Sequence, residues 1–246
     1  MRAVTLLGTF MVVWIFALPG GVWGEWSATA MYLAVRGYGL AALRAPYVER
    51  PEGVAFAMLT LKHAPHVDVR FLHHFCSGVW AILAPTQLSA SLRQRWPNAH
   101  RLGGRLMALL AVPIMYGYVL IERRGLTFDE TFGGAKLDWH GLLPLRLTGI
   151  GFMVSAAQTW RYARRRELST HARWARRYVA LGMWVAVQRI LLVFAFVPLA
   201  TLLLGREMTH PEARSAFALS GFLGVAACAC VAELANAASA KAPKRA

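Results

Sequence analysis

Six times along this chain, about 20 residues pass with almost no charge, at 3–23, 71–92, 102–121, 141–162, 175–197 and 215–238. At helical rise a run of that length matches the hydrocarbon thickness of a bilayer, roughly 30 Å. Lipid offers no hydrogen bonds to the backbone, so each single run must satisfy its own peptide groups as a helix. The expected fold is therefore all-α: an integral membrane helical bundle of about six transmembrane helices with a four-helix core. Composition agrees, with 57% hydrophobic residues, 16% charged residues and a mean hydropathy of +0.42. A soluble domain would carry about a quarter charged residues.

Charge then orders the segments. Lys and Arg outnumber Asp and Glu 27 to 12, a balance that in a soluble protein would suggest nucleic acid. Here the basic residues cluster between apolar runs, in "RQRWPNAHRLGGR" (93–105) and "RYARRRELSTHARWARR" (161–177). No soluble fold surrounds them, so nucleic-acid binding is set aside and the positive-inside rule accounts for the excess. The loop 122–140 carries more acidic than basic side chains, and 205–214 is balanced. One topology satisfies every short loop: six spans with both termini cytoplasmic.

The parts are then a membrane anchor at 1–24, an external connection at 25–70, a four-helix core at 71–197, an external loop with the last transmembrane helix at 198–240, and a basic tail at 241–246. The first segment lacks an A-x-A site at the right distance, so an uncleaved anchor is expected rather than a signal peptide. Within the external connection, Arg36 and Arg44 suit an amphipathic helix lying at the headgroups. Cys76, Cys228 and Cys230 fall in apolar runs and read as buried thiols. Membrane lipids are the partners this chemistry implies, and the arginines of 161–177 would draw anionic ones.

Four histidine positions stand at helix mouths. His73 or His74 begins the second run and His140 the fourth, both on the outer side. His100 precedes the third and His171 the fifth, both on the inner side. Such pairs suit a b-type haem near each membrane face, each iron between two imidazoles in a dry helical pocket. The plainer alternative is that these histidines lie among lipid headgroups. His63 and His66, with Asp68 nearby, form an H-x-x-H, but Pro65 between them spoils the helical geometry a metal pair requires.

Two arginines lie more than one helical turn inside apolar runs. Arg146 is about 7 Å into the fourth run, and Arg189 sits twelve residues past Arg177, about 18 Å further along. A charge within a bilayer costs several kcal/mol unless it snorkels or finds a partner. Carboxylates are nearly absent from the runs, so the expected anion is a haem propionate, an anionic ligand or a lipid headgroup. Otherwise Arg146 snorkels outward and Arg189 bonds backbone carbonyls, Gln188 or Gln158.

The stretches "LHHFCSGVWAILAPTQL", "HRLGGR" and "HARWARR", followed by Arg189, resemble a family of bacterial multi-pass membrane proteins known as domain of unknown function 2306. The matching positions are His100, Arg101, Gly104, Arg105, His171, Arg173, Trp174, Arg177 and Arg189, with Ala172 departing from the usual arginine. The resemblance covers about residues 70 to 195. It implies a helical core in a bacterial inner membrane and supplies no reaction. The placement of the histidines is also similar to that in diheme b cytochromes of the ascorbate-reductase type, which pair helix two with four and three with five. The leading expectation is a b-haem electron carrier working between quinol, or another redox partner, and an acceptor. Its rival is a cofactor-free membrane protein that binds an anionic ligand or lipid, or an accessory subunit. No nucleophile–base pair, phosphate loop or intramembrane carboxylate pair is legible, so no catalytic residue is assigned.

Overall fold

The structure is a computed structural model that describes residues 2–17, 22, 63, 65–127, 139–206 and 209–241. All regular structure in them is helical. Helix α1 is Arg2–Ala17. Helix α2 starts at Val67–Val69, widens into a π-helical turn at Arg70–Phe75 and continues through Cys76–Leu88. A short α3 (Ala90–Arg95) leads into α4 (Pro97–Arg123), then α5 (Trp139–Arg164). Helix α6 runs from Leu168 to Leu204 and contains a second π-helical turn at Leu192–Phe196. Helix α7 is His210–Lys241. The external connection at 25–62 and the tail at 242–246 lie outside the described residues, as does the proposed interfacial helix.

Local chemistry explains the breaks. Ser89 turns extended at ψ 117°, and its hydroxyl accepts the Leu92 amide to cap α3. Pro97 opens α4, where a missing N–H costs nothing. Between α5 and α6 the chain reverses in three residues, with Arg166 in the left-handed region at φ 59°. The last expected run begins earlier than its apolar stretch, because α7 takes in His210, which the sequence reading leaves in a loop.

Among the described residues three helices are long and apolar enough to cross a membrane: Pro97–Arg123, Leu168–Leu204 and the Ser215–Ala240 part of α7. Helix α4 shows why. One of its faces buries Gly103, Met107, Ala111, Ile114, Gly117 and Ile121. The opposite face exposes Leu102, Leu106, Leu109, Val112, Tyr116 and Val119. A water-facing stripe of that kind is unfavourable, whereas a lipid-facing one is the norm.

Consecutive long helices run antiparallel. Gly8 of α1 lies on Ala81 of α2, and Gly78 of α2 lies on Phe16. His73 at the start of α2 meets Gly117 near the end of α4, and Gln87 near the end of α2 meets Gly103 near its start. Glu122 of α4 reaches Arg146 of α5, Thr159 of α5 reaches His171 of α6, and Arg177 of α6 reaches Glu233 of α7. The bundle thus has a His73 end and a His171 end.

Between the ends the interior is filled. Trp80 (α2), Phe152 (α5) and Tyr178 (α6) pack ring on ring, with centroids 4.8 to 5.7 Å apart. The Trp80 indole N–H donates to the Tyr178 hydroxyl (2.8 Å), which donates to the Met107 carbonyl of α4 (2.6 Å). Gly182 leaves the space that the Trp80 ring occupies. Met11 and Ile15 of α1 join the same buried cluster.

Candidate functional site

At the His171 end, the His171 ring nitrogen Nδ1 lies 2.9 Å from the Thr159 carbonyl of α5. With that nitrogen occupied, the ring is held in one orientation and Nε2 carries whatever further chemistry the residue has. His100, from α4, stands within electrostatic reach of His171. Its own Nδ1 is buried and has no hydrogen-bond partner. Beside Thr159, the Gln158 side-chain oxygen is also buried without a partner. Buried polar atoms are nearly always satisfied, so two orphans at one end of a bundle are chemically informative.

Two stretches of the sequence pattern meet here. The Gln87 amide lies over Gly103 and Gly104, 2.5 and 3.0 Å from where their Cβ atoms would stand. Arg101 and Arg105, from the same stretch, are exposed. Around the rim, Arg177 donates to Glu233 through Nε (2.6 Å) and Nη2 (2.9 Å), and its guanidinium lies 4.7 Å from the Trp174 ring centroid. Arg176 donates to Asn236 (2.9 Å), and Arg173 donates to Thr170 (3.3 Å). This set ties α6 to α7 and leaves the rim arginines largely answered.

At the His73 end, the His73 Nδ1 lies 2.9 Å from the Ile114 carbonyl of α4. His73 and His74 diverge: the first faces α4, while the second packs its ring 4.9 Å from that of His63. The H-x-x-H of His63 and His66 does not gather with Asp68 as a metal site among the described residues. Arg124 takes both Asp68 oxygens at 2.6 Å and approaches His66 Nδ1 at 3.3 Å. That guanidinium holds the Asp68 carboxyl below the usual carboxylate range. Among the described residues no three His, Cys, Asp or Glu side chains group as metal ligands. His140 begins α5, and its side chain lies outside the described residues.

The two arginines of the apolar runs, Arg146 and Arg189, differ. Arg146 is not the unpaired charge expected of a propionate contact, because Glu122 accepts from its Nε (3.0 Å) and its Nη2. The sequence reading places Glu122 in a loop, yet α4 extends to Arg123 and carries it to Arg146. Arg189 finds no such carboxylate. Its Nε and Nη1 are buried without partners, and the expected bonds to Gln188 and Gln158 are absent. Gln188 instead donates to the Phe217 carbonyl. The Arg189 guanidinium lies 4.9 Å from the Phe217 ring centroid and 5.7 Å from that of Trp14, within electrostatic reach of His73.

No family model matches the chain, and neither the curated proteins nor the solved structures contain a match.

Proposed function

We propose that the chain is a six-span protein of the bacterial inner membrane, both termini cytoplasmic, that binds b-haem through paired histidines and carries electrons. Six spans are supported by the antiparallel succession of α1, α2, α4, α5, α6 and α7. A four-helix core is supported by the packing of α2 on α4, α4 on α5, α5 on α6 and α6 on α2. The resemblance to the domain of unknown function 2306 family stands on the same footing, as a reading of motifs whose residues Gln87, Gly104, His100 and His171 gather at one end.

One observation carries the haem assignment. At opposite ends of the bundle, His73 and His171 each have Nδ1 on a backbone carbonyl of a neighbouring helix. Metal-ligating histidines are oriented in this way, with the second nitrogen directed to the metal. The residues fit the group best at the His171 end, where His100 has a buried ring nitrogen lacking any intrachain partner. His100 and His171 would hold one haem there, and His73 with His140 a second. Bound haem would supply a one-electron couple, and the surrounding apolar helices would exclude water from it. A quinol or other redox partner at the membrane surface would complete the path.

The test is a dithionite-reduced minus oxidised absorption spectrum of the full chain, expressed with ample haem and purified in neutral detergent. A sharp b-type band is expected, halved by His171→Ala or His100→Ala and abolished by adding His140→Ala. A folded but colourless protein would remove the haem assignment and leave the cofactor-free, anion-binding alternative.

A further inference from the structure

Every described acid except Glu167 is committed to an arginine other than Arg189. Asp68, Glu122, Glu212 and Glu233 each pair elsewhere, and Glu167 lies at the opposite end of α6. The guanidinium of Arg189 is nevertheless enclosed, with two of its three nitrogens buried and unpartnered. Trp14 and Phe217 supply ring faces that stabilise the cation, but those faces do not occupy in-plane N–H donors. A cation buried with idle donors is among the costliest arrangements a protein can hold.

A second observation converges on the same place. The two π-helical turns of the described chain, Arg70–Phe75 and Leu192–Phe196, flank it. The first carries His73, which is in electrostatic reach of Arg189, and the second begins three residues after Arg189. Such widened turns re-aim side chains and recur at functional sites. Four helices thus meet at one unanswered cation.

We propose that Arg189, between Trp14 and Phe217 at the His73 end, binds the oxyanion of a membrane-soluble amphiphile, a carboxylate or phosphate whose apolar body lies along the bundle. The site's position among apolar helices selects a ligand with a greasy body over a free ion. The proposal does not depend on haem, although a haem propionate is one source of the same chemistry and a lipid headgroup is another.

The test uses full-length, colourless protein in neutral detergent, with thermal unfolding as the readout. Laurate, dodecyl phosphate and phosphatidylglycerol are compared with uncharged dodecanol. One or more of the anions should raise the midpoint by about 5 °C, and dodecanol should not. Arg189→Met should abolish the rise while unfolding no earlier than the parent when no anion is added, since it removes a buried unpaired charge. Arg189→Lys, which keeps the charge but loses the fork, should retain only part of the rise. A rise with phosphatidylglycerol assigns a lipid source. A rise seen only on adding haem, and lost in Arg189→Met, assigns a propionate. The proposal fails if no anion and no haem raises the midpoint, if dodecanol acts as well as the anions, or if Arg189→Met keeps the full response. It also fails if Arg189→Met unfolds earlier without ligand, which would make the residue a structural element held by its two rings.

Discussion

The two ends of the bundle are built from the same residue types and treat them differently. At the His171 end, close contact is made by a side chain: the Gln87 amide lies over Gly103 and Gly104. The rim arginines Arg176 and Arg177 are met by Asn236 and Glu233. At the His73 end, contact is backbone on backbone, with the His73 main chain 2.7 Å from where a Gly117 Cβ would stand. There Arg146 is answered by Glu122, while Arg189, one helix away, is buried unanswered. One end is adjustable, with Arg176 and Arg177 partnered; the other is rigid and encloses Arg189, two of whose nitrogens have no partner. A buried cation with idle donors in a rigid place is costly unless something else completes it, which is the ground for the ligand proposed at the His73 end.

The sharpest way to break this contrast is a pair of alanine substitutions. Gly117→Ala places a methyl against the His73 main chain, which can yield only by moving the π-helical turn away from α4. Overpacking of that kind costs about 1–3 kcal/mol. Gly104→Ala meets only the end of the flexible Gln87 side chain at 3.0 Å and should cost well under half as much. Thermal unfolding of both variants in the same detergent decides the matter, and equal losses would erase the distinction between a rigid and an adjustable end.

Tyr178→Phe tests what lies between the ends. It removes the acceptor of the buried Trp80 N–H together with the donor to the Met107 carbonyl. A buried donor left unmet costs about 1–3 kcal/mol. The loss should appear as earlier unfolding with Trp80 fluorescence altered. No change in stability would mean that the ring packing alone holds the four helices together there.

The helical class and the approximate course of each run were legible because lipid imposes one rule on every span: enough apolar length and no unpaired backbone. Which side chains would meet was not. Charge dilutes hydropathy at a helix end, so Glu122 looks like loop in the sequence, yet the helix simply continues far enough to carry it to Arg146. The π-helical turns leave no mark in apolar periodicity, so the convergence of His73 and Arg189 is not written in it. The Gln87–Gly104 contact joins two stretches that the sequence places side by side in a pattern, without saying that they touch. Arg189 was legible as an anomaly, since an arginine deep in an apolar run needs a reason whatever the fold.

Ion pairs extend the comparison at a smaller scale. Glu122→Gln strips Arg146 of its partner at the His73 end, and Arg146→Met on that background should recover part of the lost stability. Glu233→Gln does the same to Arg177 at the His171 end. Both partners are open to solvent there, with side chains 34% and 54% exposed, so the loss should stay under about 1 kcal/mol. If the Glu233 variant proves the more damaging, the His171 end is the one that depends on its charges.

The smallest effect lies outside the spans, in the turn joining α6 to α7 near the His73 end. Glu212 accepts from both guanidinium nitrogens of Arg206 at 2.8 Å, and from the Thr209 amide (2.7 Å) and hydroxyl (2.9 Å). The Arg206 pairing, with the Thr209 bonds, pulls the carboxyl from its ordinary value of 4.5 down to about 2. A depressed carboxyl stabilises the folded turn fully above the unfolded value, and that contribution is lost as pH falls from 4.5 towards 2. Hydrogen-exchange protection of the Thr209 amide should therefore hold down to about pH 4.5 and decline below it, while the Trp80–Tyr178 interior is unmoved. Glu212→Gln should bring the low-pH level of protection to neutral pH. Protection that tracks the interior across the whole range would show that the turn is held by helix packing rather than by its own charge.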